Sequence, residues 1–132
     1  PLAVRDMDIF KKSENIDVGL SITTANDKIR KIFEPYAPPV EKRLDAIETL
    51  HQNSIRTYVM IAPILPEAEN LVAKLAGKVD YIIIDRMNYF HADKIYERYG
   101  WQDKNTYGYF KSVGRKILKD CDRLGIECRS AY

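Results

Sequence analysis

The sequence predicts an α/β protein, with helices alternating along the chain with about four strands of a parallel sheet. Three observations carry this. Apolar runs of strand length alternate with segments of helical periodicity. Two of those runs, Val59 to Ile64 and the centre of "VDYIIIDR", are apolar enough to suit strands buried on both faces. Finally, 132 residues at 45% hydrophobic suit one domain, spanning 1–132, with a substantial core.

The elements follow in order. Arg5 to Ser13 reads as a short amphipathic helix with Met7, Ile9 and Phe10 as its apolar residues. Ile16 to Ile22 alternates as a strand, with Val18, Leu20 and Ile22 on one side. Thr24 or Asn26 suits the cap of a helix over Asp27 to Phe33. Pro35 and then Pro38-Pro39 stop it and stiffen the connection. Pro39 opens a second helix reaching Asn53, with Val40, Leu44, Ile47 and Leu50 as its buried stripe. "IRTYVMIAPILP" is the second strand. Glu67 to Ala76 is a helix with Gly77 as its stop. "VDYIIIDR" is the third strand, and Asp93 to Tyr99 a short helix. Thr106 to Leu124 is the longest helix, with Val113, Ile117, Leu118 and Cys121 facing the core. Gly125 ends it, and "IECRSAY" is the fourth strand.

In parallel α/β proteins the chemistry collects at the carboxyl ends of the strands. Those ends are polar here. The first carries Ser21, Thr23 and Thr24. The second carries "APILPE". The third carries Asp85, Arg86, Asn88 and Tyr89, and the fourth Arg129, Ser130 and Tyr132. Some of these groups suit plain local roles: Thr24, Asn26 and Asp27 as caps and turn formers, Asp85 and Arg86 as an ion pair, Asn88 as a turn residue. Ser21 differs, because it lies inside the strand. His51 and His91 each lack a neighbouring second ligand, which argues against metal binding by either. The aromatic segment "RMNYFHADKIYERYGW" suits either a cover over a site or a satellite core.

Charge and motifs narrow the class. A formal net charge of +2 offers no field for nucleic acid or an anionic membrane. Arg30, Lys31, Lys42 and Arg43 make a modest basic cluster, read as a solvated helix face. No apolar run reaches the ~20 residues of a membrane span, and no signal peptide is visible, so a cytoplasmic protein is expected. Cys121 and Cys128 fit neither a redox C-x-x-C nor a zinc spacing and read as two reduced structural thiols. There is no P-loop, G-x-G-x-x-G, G-x-S-x-G or H-E-x-x-H.

The stretch "LSITTANDKIRKIFEPYAPPVEKRLDAIETLHQNSIRTYVMIAPILP" resembles the later strands of radical SAM enzymes, closest to the spore photoproduct lyase and DNA repair photolyase-like branch. The matching pieces are Ser21-Ile22, Glu34-Pro35, the helix from Glu41 to Ile47, and Ala62 to Pro66. "PLAVRDMDIF" is similar to the segment after the family's third strand. The strong part covers Pro1 to Pro66. The resemblance implies the second half of a TIM-like (β/α)6 barrel holding S-adenosylmethionine beside a [4Fe–4S] cluster. Electron transfer from the cluster then generates a 5′-deoxyadenosyl radical. It implies Ser21, and less strongly Thr23, near the methionine moiety, with the Ala62-Pro63 backbone flanking adenine or ribose. Glu34, Asp85, Arg86 and Asn88 are then candidates for the substrate side.

The family's C-x3-C-x2-C motif is absent from this chain, so the cluster ligands and the hydrogen donor are expected upstream of Pro1. The expectation is a carboxyl-terminal fragment, inactive alone, whose partner is the missing amino-terminal half. An exposed sheet edge at the first strand would favour self-association. DNA as a substrate is implied by the branch name and unsupported by the charge. Two other classes fit the same residues. One is a stand-alone, non-catalytic α/β ligand-binding or interaction domain. The other is a different barrel-type enzyme using Asp85, Arg86 and Glu34 on a phosphorylated or carboxylated metabolite.

Overall fold

The computed structural model describes residues 2–12, 15–85 and 92–131. Four strands, β1 (Asp17–Ser21), β2 (Arg56–Ile61), β3 (Tyr81–Ile84) and β4 (Glu127–Ser130), form one parallel sheet in the order β1-β2-β3-β4. Two short helices, α1 (Leu2–Arg5) and α2 (Met7–Lys11), precede β1. Between β1 and β2 come α3 (Asp27–Phe33) and α4 (Val40–Gln52). A 3-10 turn (Ala68–Asn70) and α5 (Leu71–Leu75) lead to β3. α6 (Asp93–Arg98), a second 3-10 turn (Gln102–Lys104) and α7 (Tyr107–Leu124) lead to β4. No described helix is long and apolar enough to cross a membrane.

The boundaries have local causes. Asn26 caps α3, its Oδ1 accepting from the Lys28 and Ile29 N–H groups at 2.9 and 3.3 Å. Pro39 stands at the cap of α4 with its φ already fixed at −54°. Thr106 caps α7, accepting from the Tyr109 N–H at 3.1 Å. Gly125 ends α7 in the left-handed region at φ 73°, where a side chain would cost energy.

The core lies on one face of the sheet. Val59 and Ile61 of β2 stand level with Ile82 and Ile84 of β3, and all four are fully buried. Against them pack Val40, Leu44 and Ile47 of α4, Leu71, Val72 and Leu75 of α5, and Phe110, Val113 and Ile117 of α7. The expected stripe of α4 is therefore the stripe that is buried.

Several expectations are corrected. The helix over Arg5 to Ser13 is two short helices broken at Asp6, and α2 buries nothing: Ile9 is 64% exposed. The helix from Glu67 starts as a 3-10 turn at Ala68, because Glu67 itself is left-handed at φ 66°. The second strand ends at Ile61, before Ala62 and Pro63, though Ile64 is still buried. That strand is not buried on both faces. Thr57, Val59 and Ile61 are inside, while Arg56 and Met60 are exposed, because the core-forming helices pack on the opposite face. Leu118 points outward from α7 at 37% exposure. The basic cluster splits: Lys31 and Lys42 are solvated, but Arg30 and Arg43 are buried.

The second face carries Asp17, Gly19 and Ser21 of β1, Arg56, Tyr58 and Met60 of β2, Tyr81 and Ile83 of β3, and Glu127 and Arg129 of β4. Among the described residues these side chains contact one another across the strands, and the core-forming helices pack on the other face. Tyr58 stacks on Tyr81 with centroids 5.1 Å apart, and the Arg129 guanidinium sits 4.2 Å over the Tyr81 ring. The Tyr81 hydroxyl donates to Asp17 at 2.8 Å, and Asp17 also pairs with Arg56 at 3.3 Å. Burial and that bond together raise the pKa of Tyr81.

Candidate functional site

The carboxyl end of β1 separates its three hydroxyl residues. Ser21 closes the strand opposite Met60, and its side chain is exposed on the open face. Thr23 and Thr24 are buried. The Thr23 hydroxyl donates to Glu34 Oε1 at 2.5 Å. The Thr24 hydroxyl donates to the Pro66 carbonyl at 2.6 Å and accepts from the Asn26 N–H at 3.1 Å. Asn26 in turn donates from Nδ2 to Glu67 at 2.9 Å. Main-chain bonds from Ile22 N–H to Met60 O and from Leu65 N–H to Thr23 O complete the splice between the ends of β1 and β2. Thr24 and Asn26 are thus fully used in shaping the rim, as capping and turn chemistry requires.

Two arginines sit behind this rim. Arg30 grips Asp27 with two nitrogens, each 3.0 Å from a carboxylate oxygen, and donates its third to the Ala37 carbonyl. Asp27 also accepts from the Val40 N–H at 3.1 Å, so one carboxylate joins α3 to the start of α4. Arg30 first, then that N–H, hold its pKa below the ordinary aspartate value of 3.8. Arg43 donates from Nη1 to the Ser21 carbonyl at 2.6 Å. Its Nη2 lies 4.0 Å from Glu34 Oε1, and its side chain is 8% exposed. Its Nε and Nη2 are buried with no hydrogen-bond partner among the described residues. Burial lowers the pKa of Arg43, and Glu34 works against that. A guanidinium with unspent donors can take a carboxylate or phosphate oxygen.

The sequence candidates fall as follows. Ser21, Ala62 and Asp85 end or follow neighbouring strands on one rim, and the Asp85 N–H donates to the Ile61 carbonyl at 3.1 Å. Ala62 and Pro63 are half-buried in the turn after β2. Glu34 joins the group through Thr23, which ties a residue expected on the cofactor side to one expected on the substrate side. Arg86 and Asn88 lie outside the described residues, as do Tyr89, His91 and Tyr132. Arg43 was missed as a site residue. Its signal was present: it stands three residues after Val40, on the buried stripe of α4.

At the opposite end of the strands a hollow of 520 Å³ is lined by Phe10, Lys11, Asp17, Asn53 and Arg56, among others. Four of its polar groups pair, Lys11 with Asn53 and Arg56 with Asp17. Nearby, Asp80 accepts from the Thr57 N–H at 2.7 Å and lies 3.3 Å from His51 Nδ1. These contacts fasten the strand starts, and the rim at the carboxyl ends is the better candidate. Among the described residues no group of three or more His, Cys, Asp or Glu side chains is placed to hold a metal ion.

Comparison with known proteins gives relatives over half of the chain. It is 47% identical over 66 residues to the uncharacterized protein MJ0683 of Methanocaldococcus jannaschii, a match covering 50% of this chain and 26% of that protein. It is 30% identical over 66 residues to the uncharacterized protein ORF301 of Acidianus two-tailed virus, covering 49% and 22%. The matched part is about a quarter of each relative's length. No family model and no solved structure matches.

Proposed function

We propose that this chain supplies later strands of a radical SAM (β/α)6 barrel, and that the rim around Ser21 belongs to the S-adenosylmethionine site of the parent enzyme. The observation that supports this best is the winding: four parallel strands in sequential order, with the core-forming helices on one face and an exposed strand-end hydroxyl on the other. An open doubly wound sheet reverses its strand order and carries helices on both faces. Barrel winding does neither, and its inner face is the face left open here.

The fit differs for the two groups the reading implies. Ser21 has a hydroxyl that can both donate to a carboxylate and accept from an ammonium. Arg43 holds its carbonyl, and the half-buried Ala62 and Pro63 stand on the adjacent strand end. S-adenosylmethionine, when bound, would supply the chemistry of hydrogen abstraction. This chain's part is to orient its methionine end. A [4Fe–4S] cluster does not fit the described residues, since the chain has two cysteines, Cys121 and Cys128, both on the helix-covered side, and no group of three or more His, Cys, Asp or Glu is placed together there. Its ligands belong, in this reading, to the amino-terminal strands that would lie beside β1. The net charge of +2 lends DNA no support as substrate.

The experiment is to purify the full-length parent without oxygen and measure iron, sulfide and S-adenosylmethionine binding. One cluster per chain with bound S-adenosylmethionine is expected; an iron-free parent that binds none would refute the reading. The chain alone is expected to bind no cluster and to self-associate through the free edge of β1. A strictly monomeric sedimentation profile at high concentration would count against that edge.

A second reading is a non-catalytic α/β domain. What favours it is the internal use of Thr23, Thr24 and Asn26, which serve the fold itself. An iron-free parent that still binds a small ligand at Ser21 would decide for it.

A further inference from the structure

We propose that Ser21, Met60, Ile83 and Arg129 form one binding row on the open face, which takes a small substrate with an apolar body and a carboxylate or phosphate end held by Arg129. The proposal deepens the reading of Ser21 as the cofactor end of the rim and rests on it. Strand register draws the row. Ser21 stands level with Met60, Met60 with Ile83, and Ile83 with Arg129. Alternation sends all four to the open face, since Val59, Ile61, Ile82 and Ile84 between them are core residues and Cys128 packs against that core. Three gaps of about 4.8 Å between strands make the row about 14 Å long. A hydroxyl stands at one end, a guanidinium at the other, and two apolar side chains between them.

Arg129 is pre-set for an anion. Its guanidinium lies 4.2 Å over the Tyr81 ring, and Tyr81 is itself fixed by the Tyr58 stack and by its bond to Asp17. Glu127 takes the Nε of Arg129 at 3.1 Å, so that contact does not use the two terminal nitrogens. Those nitrogens form the fork that matches a carboxylate or phosphate. The side chain is 52% exposed, within reach of a ligand.

Charge within the row points the same way. The acids of this face lie in the rows below, Asp17 level with Arg56 and Glu127 level with Tyr81, and Asp85 lies past Ile83 at the strand end. Arg129 is the charged member of the row itself. Met60 is 37% exposed and Ile83 half-buried, so an apolar body laid along them removes apolar surface from water. The row orders the substrate: reacting end toward Ser21, apolar body over Met60 and Ile83, anionic end at Arg129.

The test titrates the chain with hexyl phosphate, hexanoate and hexanol, and with inorganic phosphate and acetate as the bare anions. Binding is followed by NMR at the Arg129 Nε–H and the Met60 methyl. A hexyl anion should shift both signals to saturation and bind about tenfold tighter than its bare anion, through the apolar contact. Whichever hexyl anion binds tighter tells a phosphate end from a carboxylate end. Arg129→Gln should weaken that binding about tenfold with the melting temperature unchanged, and Arg129→Lys, which keeps the charge and loses the fork, should fall between. Met60→Ser should remove the gain from the hexyl chain and leave the bare anion as it was. Hexanol binding as tightly as the anions would overturn the proposal. So would shifts at Arg129 without Met60, or binding that survives Arg129→Gln. None of these probes needs a cluster, so failure of the row and failure of the radical SAM reading show separately.

Discussion

The two faces of the sheet are built on opposite terms. On the covered face Val59, Ile61, Ile82 and Ile84 interlock with three helices and are fully buried. On the open face the side chains lie flat: Tyr58 on Tyr81, Arg129 over Tyr81, Asp17 between Tyr81 and Arg56. The first face is held by burial of apolar area, which needs no partner beyond the helices. The second pairs its charges across the strands and still leaves Met60 and Ser21 exposed, with β1 at the edge of the described strands. The covered face explains why the chain folds. The open face is the one to which the proposed cofactor site belongs.

Substitutions on the two faces sharpen this contrast, and the largest effect is expected from neighbours across the sheet. Ile82→Ala should cost about 2–5 kcal/mol in urea unfolding, since the cavity lies beneath three helices. Met60→Ala should cost below about 1 kcal/mol in the chain alone. An equal cost at the two positions would mean that the open face is covered in solution.

Next in size is Gly19. A Cβ built there would fall 2.2 to 2.6 Å from the Tyr58 ring, so only glycine lets that ring lie across β1. Gly19→Val should destabilise by about 1–3 kcal/mol. Adding Tyr58→Ala should make the valine nearly neutral, because it removes the obstacle. A valine cost that persists without the ring would show that the flat layer is not the cause.

A smaller effect separates the rim from both faces. The carboxylate of Asp27 is favoured in the folded state, so its contribution is present above the ordinary aspartate range. It is lost as pH falls through the lowered folded value. Wild type should therefore exceed Asp27→Asn in stability at neutral pH, and the gap should close in acid. A gap that does not change with pH would assign the loss to packing alone.

Much of this arrangement was legible in the sequence, and the failures have a common physical origin. The α4 stripe and the strand–helix alternation were readable because hydrophobic period reports one buried side directly. Asn26 and Gly125 announced their helix ends by side-chain chemistry and by backbone freedom. The burial of Arg43 was not read, because charge in composition suggests solvent and its pairing with the Ser21 carbonyl crosses 22 positions. The bond from the Thr23 hydroxyl to Glu34 was not read either, since it crosses 11 positions. The openness of the second face was concealed by aromatic and aliphatic residues that resemble core. Alternation puts Tyr58 and Met60 on one side with Arg56, but only the packing shows that the core helices lie on the other side.

Ser21→Ala carries the smallest expected change in stability, below about 0.5 kcal/mol, and the largest in function. The decisive measurement is 5′-deoxyadenosine formed from S-adenosylmethionine by the oxygen-free parent under a chemical reductant, for wild type and Ser21→Ala. The account predicts product from wild type and a loss of at least tenfold in the variant, with its melting temperature unchanged. Absence of product from an iron-loaded wild type, or full product from the variant, would contradict it.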